Sequence, residues 1–231
     1  MSKTAIVTGA SRGIGFQTSI ALAKKGHSVL ATARSKDDLA ELAGHYPNLI
    51  RAFPADLTIE EDIKHLSEEV SNTYGTVDVL VNNAGALINK SFENLTKEDW
   101  QKMINVNLLT AVDLTRSLLS LFSDRAHIVN ISSMGGFQGS DKFPGLSAYS
   151  AAKGALSILS ECLSVELADR NISSNTLCLG AVQTEMLGEA FPGFKAPVSA
   201  EEMGTYIADF ALAGSKFYNG QVLPVTLGNP E

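Results

Sequence analysis

The sequence predicts an α/β fold: a doubly wound, three-layer sandwich around a seven-stranded parallel sheet. Three observations predict it. Short β-branched runs alternate with longer segments of helical spacing along all 231 residues, the pattern of right-handed βαβ crossovers. Several of the short runs, such as Val77-Asp78-Val79-Leu80-Val81, are almost continuously apolar, as strands buried on both faces require. A glycine-rich turn joins the first strand-like run to the first helical segment.

In chain order, Thr4–Thr8 reads as a strand, Ile14–Lys25 as a helix, and Ser28–Ala33 and Leu49–Pro54 as the next two strands. Ile59–Tyr74 has helical spacing and leads to the strand Val77–Asn82. Lys97–Leu121 reads as one long helix, followed by the strand His127–Ile131 and the helix Ala148–Leu167. Ser174–Leu179, a helix at Glu201–Leu212 and the strand Gln221–Val225 complete the series. No Pro/Ser-rich linker, charge block or repeat divides the chain, which predicts one domain over residues 1–231. Two stretches escape the alternation, Gly135–Ser147 and Glu185–Ser199. Each follows a strand, so each is expected at the carboxyl edge of the sheet, where ligands bind in open α/β folds.

Composition narrows the function classes. The formal charge is −7 and the sequence pI about 5.1, with no basic stripe to neutralise phosphates, which argues against nucleic acid as a partner. No apolar run approaches the ~20 residues of a membrane span, and the N-terminus carries no signal-type apolar segment. The cytoplasm is the expected location. Cys162 and Cys178 have no partners at metal-ligand spacing and read as two reduced structural thiols in apolar surroundings; no metal site is expected.

The turn reads Thr8-Gly9-Ala10-Ser11-Arg12-Gly13-Ile14-Gly15. Such a turn lets backbone amides meet a pyrophosphate at the positive end of a helix. Gly9 is expected to take the tight turn, Gly13 to permit close approach, and Gly15 to let the helix pack against the sheet. Further on come Asn82-Asn83-Ala84-Gly85 and Tyr149-Ser150-Ala151-Ala152-Lys153. Together, in this order and spacing, the three motifs resemble the short-chain dehydrogenase/reductase family, most nearly its 3-oxoacyl-carrier-protein reductases, over roughly residues 3 to 225. The resemblance implies a Rossmann-type catalytic domain that binds a nicotinamide cofactor and acts on a small-molecule carbonyl or alcohol.

It also implies cofactor contacts from Gly9, Ser11, Arg12, Gly13, Ile14 and Gly15 in the turn, and from Asp56 and Leu57 beside the adenine. Asn83, Ala84 and Gly85 would flank the adenosine side, although Asn82 and Asn83 read equally as turn formers closing a strand. NAD-preferring members place an acidic residue where the second strand ends; here the chain reads Thr32-Ala33-Arg34-Ser35. A carboxylate would repel a 2′-phosphate, whereas Arg12 and Arg34 could clamp it by charge-assisted hydrogen bonds. NADP(H) is therefore expected over NAD(H); the alternative is that both arginines are solvated surface residues. After the sixth strand, Leu179-Gly180-Ala181-Val182-Gln183-Thr184 carries leucine where the family has proline, with Gly180, Val182 and Thr184 still matching its contacts to nicotinamide.

Tyrosine, with an ordinary pKa near ~10, is a poor base unless its anion is favoured. A neighbouring ammonium favours that anion, and Tyr149 and Lys153, four residues apart, share one helix face. By resemblance Tyr149 is the general acid/base, and Lys153 also holds the nicotinamide ribose. Ser133 holds the substrate oxygen, with Ser132 as the competing choice. Asn107 holds a water linking Lys153 to solvent, with Asn105 the near-miss.

Departures from the family lie near the pocket. The segment from Ser133 to Tyr149 is longer and holds Phe137, Phe143 and Leu146; the lid after Thr184 is short, with Met186, Phe191 and Phe194 as expected pocket lining or ordinary packing residues. The end of the chain, Leu227–Glu231, lacks the family's paired glycines. The expected assembly is a homodimer or homotetramer through Lys97–Leu121 and Ala148–Leu167, both apolar on more than one face. Competing readings are a pteridine- or sepiapterin-type reductase and a non-catalytic NADP(H)-binding sensor.

Overall fold

The computed structural model describes residues 2–227. Its main sheet has seven strands: β1 (Thr4–Thr8), β2 (Ser28–Ala33), β3 (Ile50–Pro54), β4 (Val77–Asn82), β5 (Phe122–Ser133), β6 (Ser173–Leu179) and, after two short strands described below, β9 (Val222–Val225). Their order is β3-β2-β1-β4-β5-β6-β9, and every pairing is parallel. Eight α-helical segments accompany them: α1 (Gly13–Lys24), α2 (Lys36–His45), α3 (Glu60–Thr73), α4 (Lys97–Ile104), α5 (Thr110–Ser117), α6 (Ser147–Glu166), α7 (Glu185–Ala190) and α8 (Ala200–Ala213). The strand order reverses between β1 and β4, which opens a crevice at their carboxyl ends.

Strands buried on both faces create two cores. On one face Val7, Val29, Val81, Val129 and Leu177 pack with Leu22 of α1 and Ile207 of α8. On the other, Ile6, Leu30, Leu80 and Ile128 pack with Leu66 of α3 and Leu114 of α5. Adjacent strand residues thus point to opposite cores, as the period of two demands. This is the doubly wound Rossmann-type sandwich expected from the sequence, and no described helix is long and apolar enough to cross a membrane.

Four local features depart from the expectation. Lys97–Leu121 is not one α-helix: a π-helical turn, Asn105–Leu109, interrupts it. The Asn107 amide nitrogen donates to the Met103 carbonyl four residues back, and the side chain also bonds the Ala86 backbone at both ends. A side chain inserted into the helical ladder widens that turn, and such bulges cluster at functional sites. The fifth strand is longer than His127–Ile131 because Phe122–Ala126 joins it past an irregular register, with Arg125 in the left-handed region at φ 63°. Helix α2, whose short apolar stripe is only Leu39 and Leu42, falls in a stretch with no predicted helix. Glu185–Ser199 is not structureless: α7 lies in it, and β7 (Val182–Gln183) pairs with β8 (Val198–Ser199) in a separate small sheet.

The cysteines also differ from expectation. Cys178 is buried on β6, but Cys162 is exposed. The expectation about missing terminal glycines falls mostly on residues 228–231, outside the described residues.

Candidate active site

A cleft of about 1390 Å³ runs along the carboxyl ends of β1, β2, β4, β5 and β6. Of the site residues expected from the sequence, all but Gly15 line it. Gly15 acts from beneath. A Cβ there would lie 2.4 Å from the Gly9 carbonyl oxygen and 2.5 Å from Asn83 Nδ2, so only glycine lets α1 begin this close to the sheet. Gly9 turns the chain at φ 64°, a conformation that glycine adopts without strain.

The start of α1 suits a phosphate. Its N-cap residue, Arg12, makes no side-chain cap and its first turn holds no acidic residue. Gly13 and Ile14 at its start line the cleft, where free leading amides and the helix dipole suit an anion. Besides lining the cleft, Asn83 braces this loop: its amide donates to the Thr8 and Gly9 carbonyls at 2.9 and 3.2 Å, while the Thr8 hydroxyl accepts from the Asn83 and Ala84 amides, each at 2.9 Å. The Asn83 side chain thus ties the loop after β4 to the glycine turn. Asn82 reaches Asn130 at 2.9 Å in the buried sheet, so it too is more than a turn former.

At the far end of the cleft, Arg12 and Arg34 both project into solvent beside Thr32, Ser35 and Asp38. Thr32 Oγ1 is buried without a hydrogen-bond partner. Arg12 makes an exposed ion pair with Glu189 of α7 at 3.3 Å, so this helix reaches over the cleft mouth. Asp38, which the sequence reading did not single out, puts one carboxylate among these cations. Burial pushes the Asp56 carboxyl up, but hydrogen bonds from the Thr58 hydroxyl and amide and the field of Arg34 bring it below the usual carboxylate range.

The other end of the cleft gathers Ser133, Tyr149, Lys153 and Asn107. Lys153 is 4% exposed, and its ammonium donates to the Ile131 carbonyl at 2.8 Å while lying 5.9 Å from the Tyr149 ring centroid. Burial lowers its pKa to about 8, with the neighbouring Cys178 thiol acting in the opposite sense. Burial drives the Tyr149 hydroxyl up to about 12, opposed by a hydrogen bond with the Ser133 hydroxyl. Ser132 faces elsewhere: its hydroxyl donates to the Lys153 backbone carbonyl at 2.9 Å. Asn107 is buried whereas Asn105 is exposed, and a Cβ on the intervening Gly85 would lie 2.9 Å from Asn107 Oδ1 and 3.4 Å from Lys153 Nζ. The two polar groups therefore share one small space at Gly85.

Gly180, Val182 and Thr184 close the roof after β6. The Thr184 hydroxyl caps α7 by accepting from the Leu187 amide at 3.2 Å, which leaves its own proton to donate into the cleft. Met186, Phe191 and Phe194 line the same end, as do Phe143 and Leu146; Phe137 does not.

A short chain dehydrogenase family profile matches residues 3–193. The chain belongs to the short-chain dehydrogenase/reductase family. It is an oxidoreductase acting on carbonyl or alcohol groups, similar to the 3-oxoacyl-carrier-protein reductases. One relative, a 3-oxoacyl-(acyl-carrier-protein) reductase of Thermotoga maritima, is 32% identical over 98% of this chain and 97% of its own. An acetoacetyl-CoA reductase of Shinella zoogloeoides is 36% identical over 81% of this chain and 77% of its own. Among solved structures, a 3-ketoacyl-(acyl-carrier-protein) reductase of Brucella melitensis complexed with NADH superposes with a TM-score of 0.90 at 25% identity, covering 98% of each chain. The L-sorbose reductase of Gluconobacter frateurii, complexed with NADPH and L-sorbose, gives 0.88 at 25% identity, covering 100% and 97%. These two relatives share a nicotinamide cofactor but not its 2′-phosphate.

Proposed function

We propose that this chain is a single-domain, NADP(H)-dependent oxidoreductase interconverting a carbonyl and a secondary alcohol, with Tyr149 as general acid/base. The observation that carries the reading is the buried Lys153 ammonium, anchored on Ile131, near the ring of Tyr149, whose hydroxyl meets Ser133 at one end of the cleft. The uncapped start of α1 and the Gly9–Gly15 cradle fit a pyrophosphate at the other end. When bound, the cofactor supplies or receives the hydride.

In the reductive direction the residues have distinct tasks. Ser133 donates to the substrate carbonyl oxygen and fixes it beside Tyr149, polarising the carbonyl. With a hydroxyl held up near 12, Tyr149 carries its proton at neutral pH, which is the form that donates to the developing alkoxide. The Lys153 cation then stabilises the phenolate left behind. Asn107 would hold a water that returns the proton; its nearness to Lys153 across Gly85 supports this role. Oxidation of an alcohol uses the same groups in reverse.

The preference for NADP(H) rests on charge. Arg12 and Arg34 stand at the adenosine end among the carboxylates of Asp38, Asp56 and Glu189, and two guanidiniums suit a 2′-phosphate. For assembly, we propose a homodimer through the α5 and α6 side of the molecule. Leu109, Ile158 and Val165 there are 41%, 59% and 76% exposed, a liability that burial against a second copy removes. Light scattering showing a monomer would refute this pairing.

The decisive experiment is Tyr149→Phe. Ketone reduction with NADPH should fall by about 10²- to 10⁴-fold while NADPH binding, followed by its fluorescence, persists. Undiminished turnover would sink the mechanism. If wild-type protein binds NADPH but turns over no carbonyl or alcohol, the chain is a cofactor sensor instead.

A further inference from the structure

A second cavity, about 450 Å³, lies beside the catalytic cleft. Ser91, Phe92, Lys142, Pro144, Gly145, Ser147 and Ser150 form its walls together with Phe143. Among the described residues, Phe143 is the one that lines both cavities. The catalytic helix α6 contributes to both as well, through Tyr149 on one side and Ser147 and Ser150 on the other.

The chemistry of the two spaces matches. Around the catalytic end of the cleft stand Leu87, Met134, Leu146, Met186 and Phe191. In the side cavity, Lys142 does not present its charge: its ammonium turns back to the Phe137 carbonyl at 2.5 Å and the Ser140 hydroxyl at 2.7 Å, leaving its apolar stem as wall. Lys90, on the neighbouring loop, is likewise spent on Asp99 at 2.7 Å. Phe92 stands 73% exposed at the rim, apolar surface that a ligand would cover. Ser147 Oγ is buried without a hydrogen-bond partner and adds no charge to the wall. An anionic or sugar-like tail would leave its polar groups unpaired here, a desolvation cost with no return.

We propose that the side cavity receives the tail of the substrate and that Phe143 is the gate between it and the catalytic cleft. This rests on the carbonyl-reductase reading and names its substrate class: an uncharged ketone or aldehyde bearing an alkyl or aryl chain. A hydrophobic wall at this junction makes Phe143 a specificity-determining residue. Each methylene that crosses it gains about fourfold in kcat/KM, the equivalent of ~0.8 kcal/mol per buried CH₂.

The test is a series of 2-alkanones of increasing length with NADPH, on wild type, Phe143→Ala and Ser147→Leu. Specificity should rise with chain length in the wild type. Phe143→Ala should raise the long-to-short kcat/KM ratio further by about tenfold, and Ser147→Leu, which fills the cavity, should flatten it. A flat wild-type series, or a ratio unmoved by both variants, overturns the proposal. Saturation-transfer NMR of 2-octanone with the NADP⁺-loaded protein gives a readout separate from turnover. Strong transfer to the terminal methyl that Ser147→Leu removes supports the cavity assignment even if no ketone is reduced, in which case the carbonyl-reductase reading alone fails. Weak, uniform transfer along the chain refutes the cavity assignment.

Discussion

Buried histidine gives this fold a calculable dependence on acid. His127 sits on β5 with no exposed surface. Its Nδ1 bonds the Ala211 carbonyl at 3.0 Å and its Nε2 faces the Asn175 amide nitrogen at 3.0 Å. The first contact requires a proton on Nδ1 and the second a lone pair on Nε2, so the ring is held neutral in one tautomer. Burial lowers its pKa from 6.5 to about 4, with the Ala211 hydrogen bond opposing the fall and the Lys3 charge adding to it. The folded state therefore binds fewer protons than the unfolded chain. The resulting stability is complete above about pH 6.5, begins to be lost below it, and is gone once pH falls through about 4. A shift of about 2.5 units is worth roughly 3 kcal/mol in total, of which about 2 kcal/mol is lost between about pH 7.5 and pH 5. Carboxylates add their own losses below about pH 5, so wild type must be compared with His127→Gln. The variant is less stable at neutral pH, because glutamine cannot reproduce both contacts, but it lacks this titration. Urea unfolding across the pH series should show the gap between the two proteins narrowing by about 2 kcal/mol from pH 7.5 to pH 5. A gap constant across that range would refute the neutral buried histidine.

Other perturbations probe the cleft. Gly15→Ala forces a methyl against the Gly9 carbonyl and Asn83 and should cost about 1–3 kcal/mol in urea unfolding together with cofactor affinity; an equally stable variant would show that α1 can shift freely. Arg34→Ala and Arg12→Ala should each weaken NADPH binding by about tenfold or more and leave NADH within about twofold; equal losses for both cofactors would contradict the 2′-phosphate clamp. Glu189→Gln frees Arg12 from its exposed pair and should tighten NADPH binding by a few-fold at most, the ~0.2–1 kcal/mol range of such pairs. A weakening there would mean that Glu189 positions Arg12 rather than competing for it.

Much of the fold was legible because the sheet is buried on both faces. Runs such as Val77–Asn82 have one interpretation when helical segments flank them, and the glycine turn fixes where the crevice opens. The features that were not legible depend on contacts between distant segments. Nothing in Ile104–Leu109 marks a π-helical turn; it exists because Asn107 is drawn to the Ala86 backbone of another loop. Helix α2 carries only two buried leucines, too few to establish a period. Glu189 was not singled out, since its meaning comes from its ion pair with Arg12, far away in sequence. Cys162, on the turn of α6 that follows the buried Ser157 and Ser160, shows the limit of apolar surroundings in sequence as a guide to burial.

Ser132 and Ser133 show how the fold gives two residues of one type different surroundings. Both are serines at the end of the same strand, and adjacent strand side chains point in opposite directions. One hydroxyl must turn toward α6 and the other toward the open crevice. Ser132 takes the helix side, where its hydroxyl bonds the Lys153 carbonyl and is itself joined by Ser157. Ser133 is left to meet Tyr149. The strand therefore grips Lys153 twice: Ser132 holds its backbone, and the Ile131 carbonyl holds its ammonium. Three consecutive residues of β5 thereby set the lysine, its helix and the hydroxyl that faces the tyrosine. Their relative positions are inherited from the stiffest element of the fold, while the walls that choose the substrate are left to loops. A chemistry shared across a family and a specificity peculiar to one chain follow from that division.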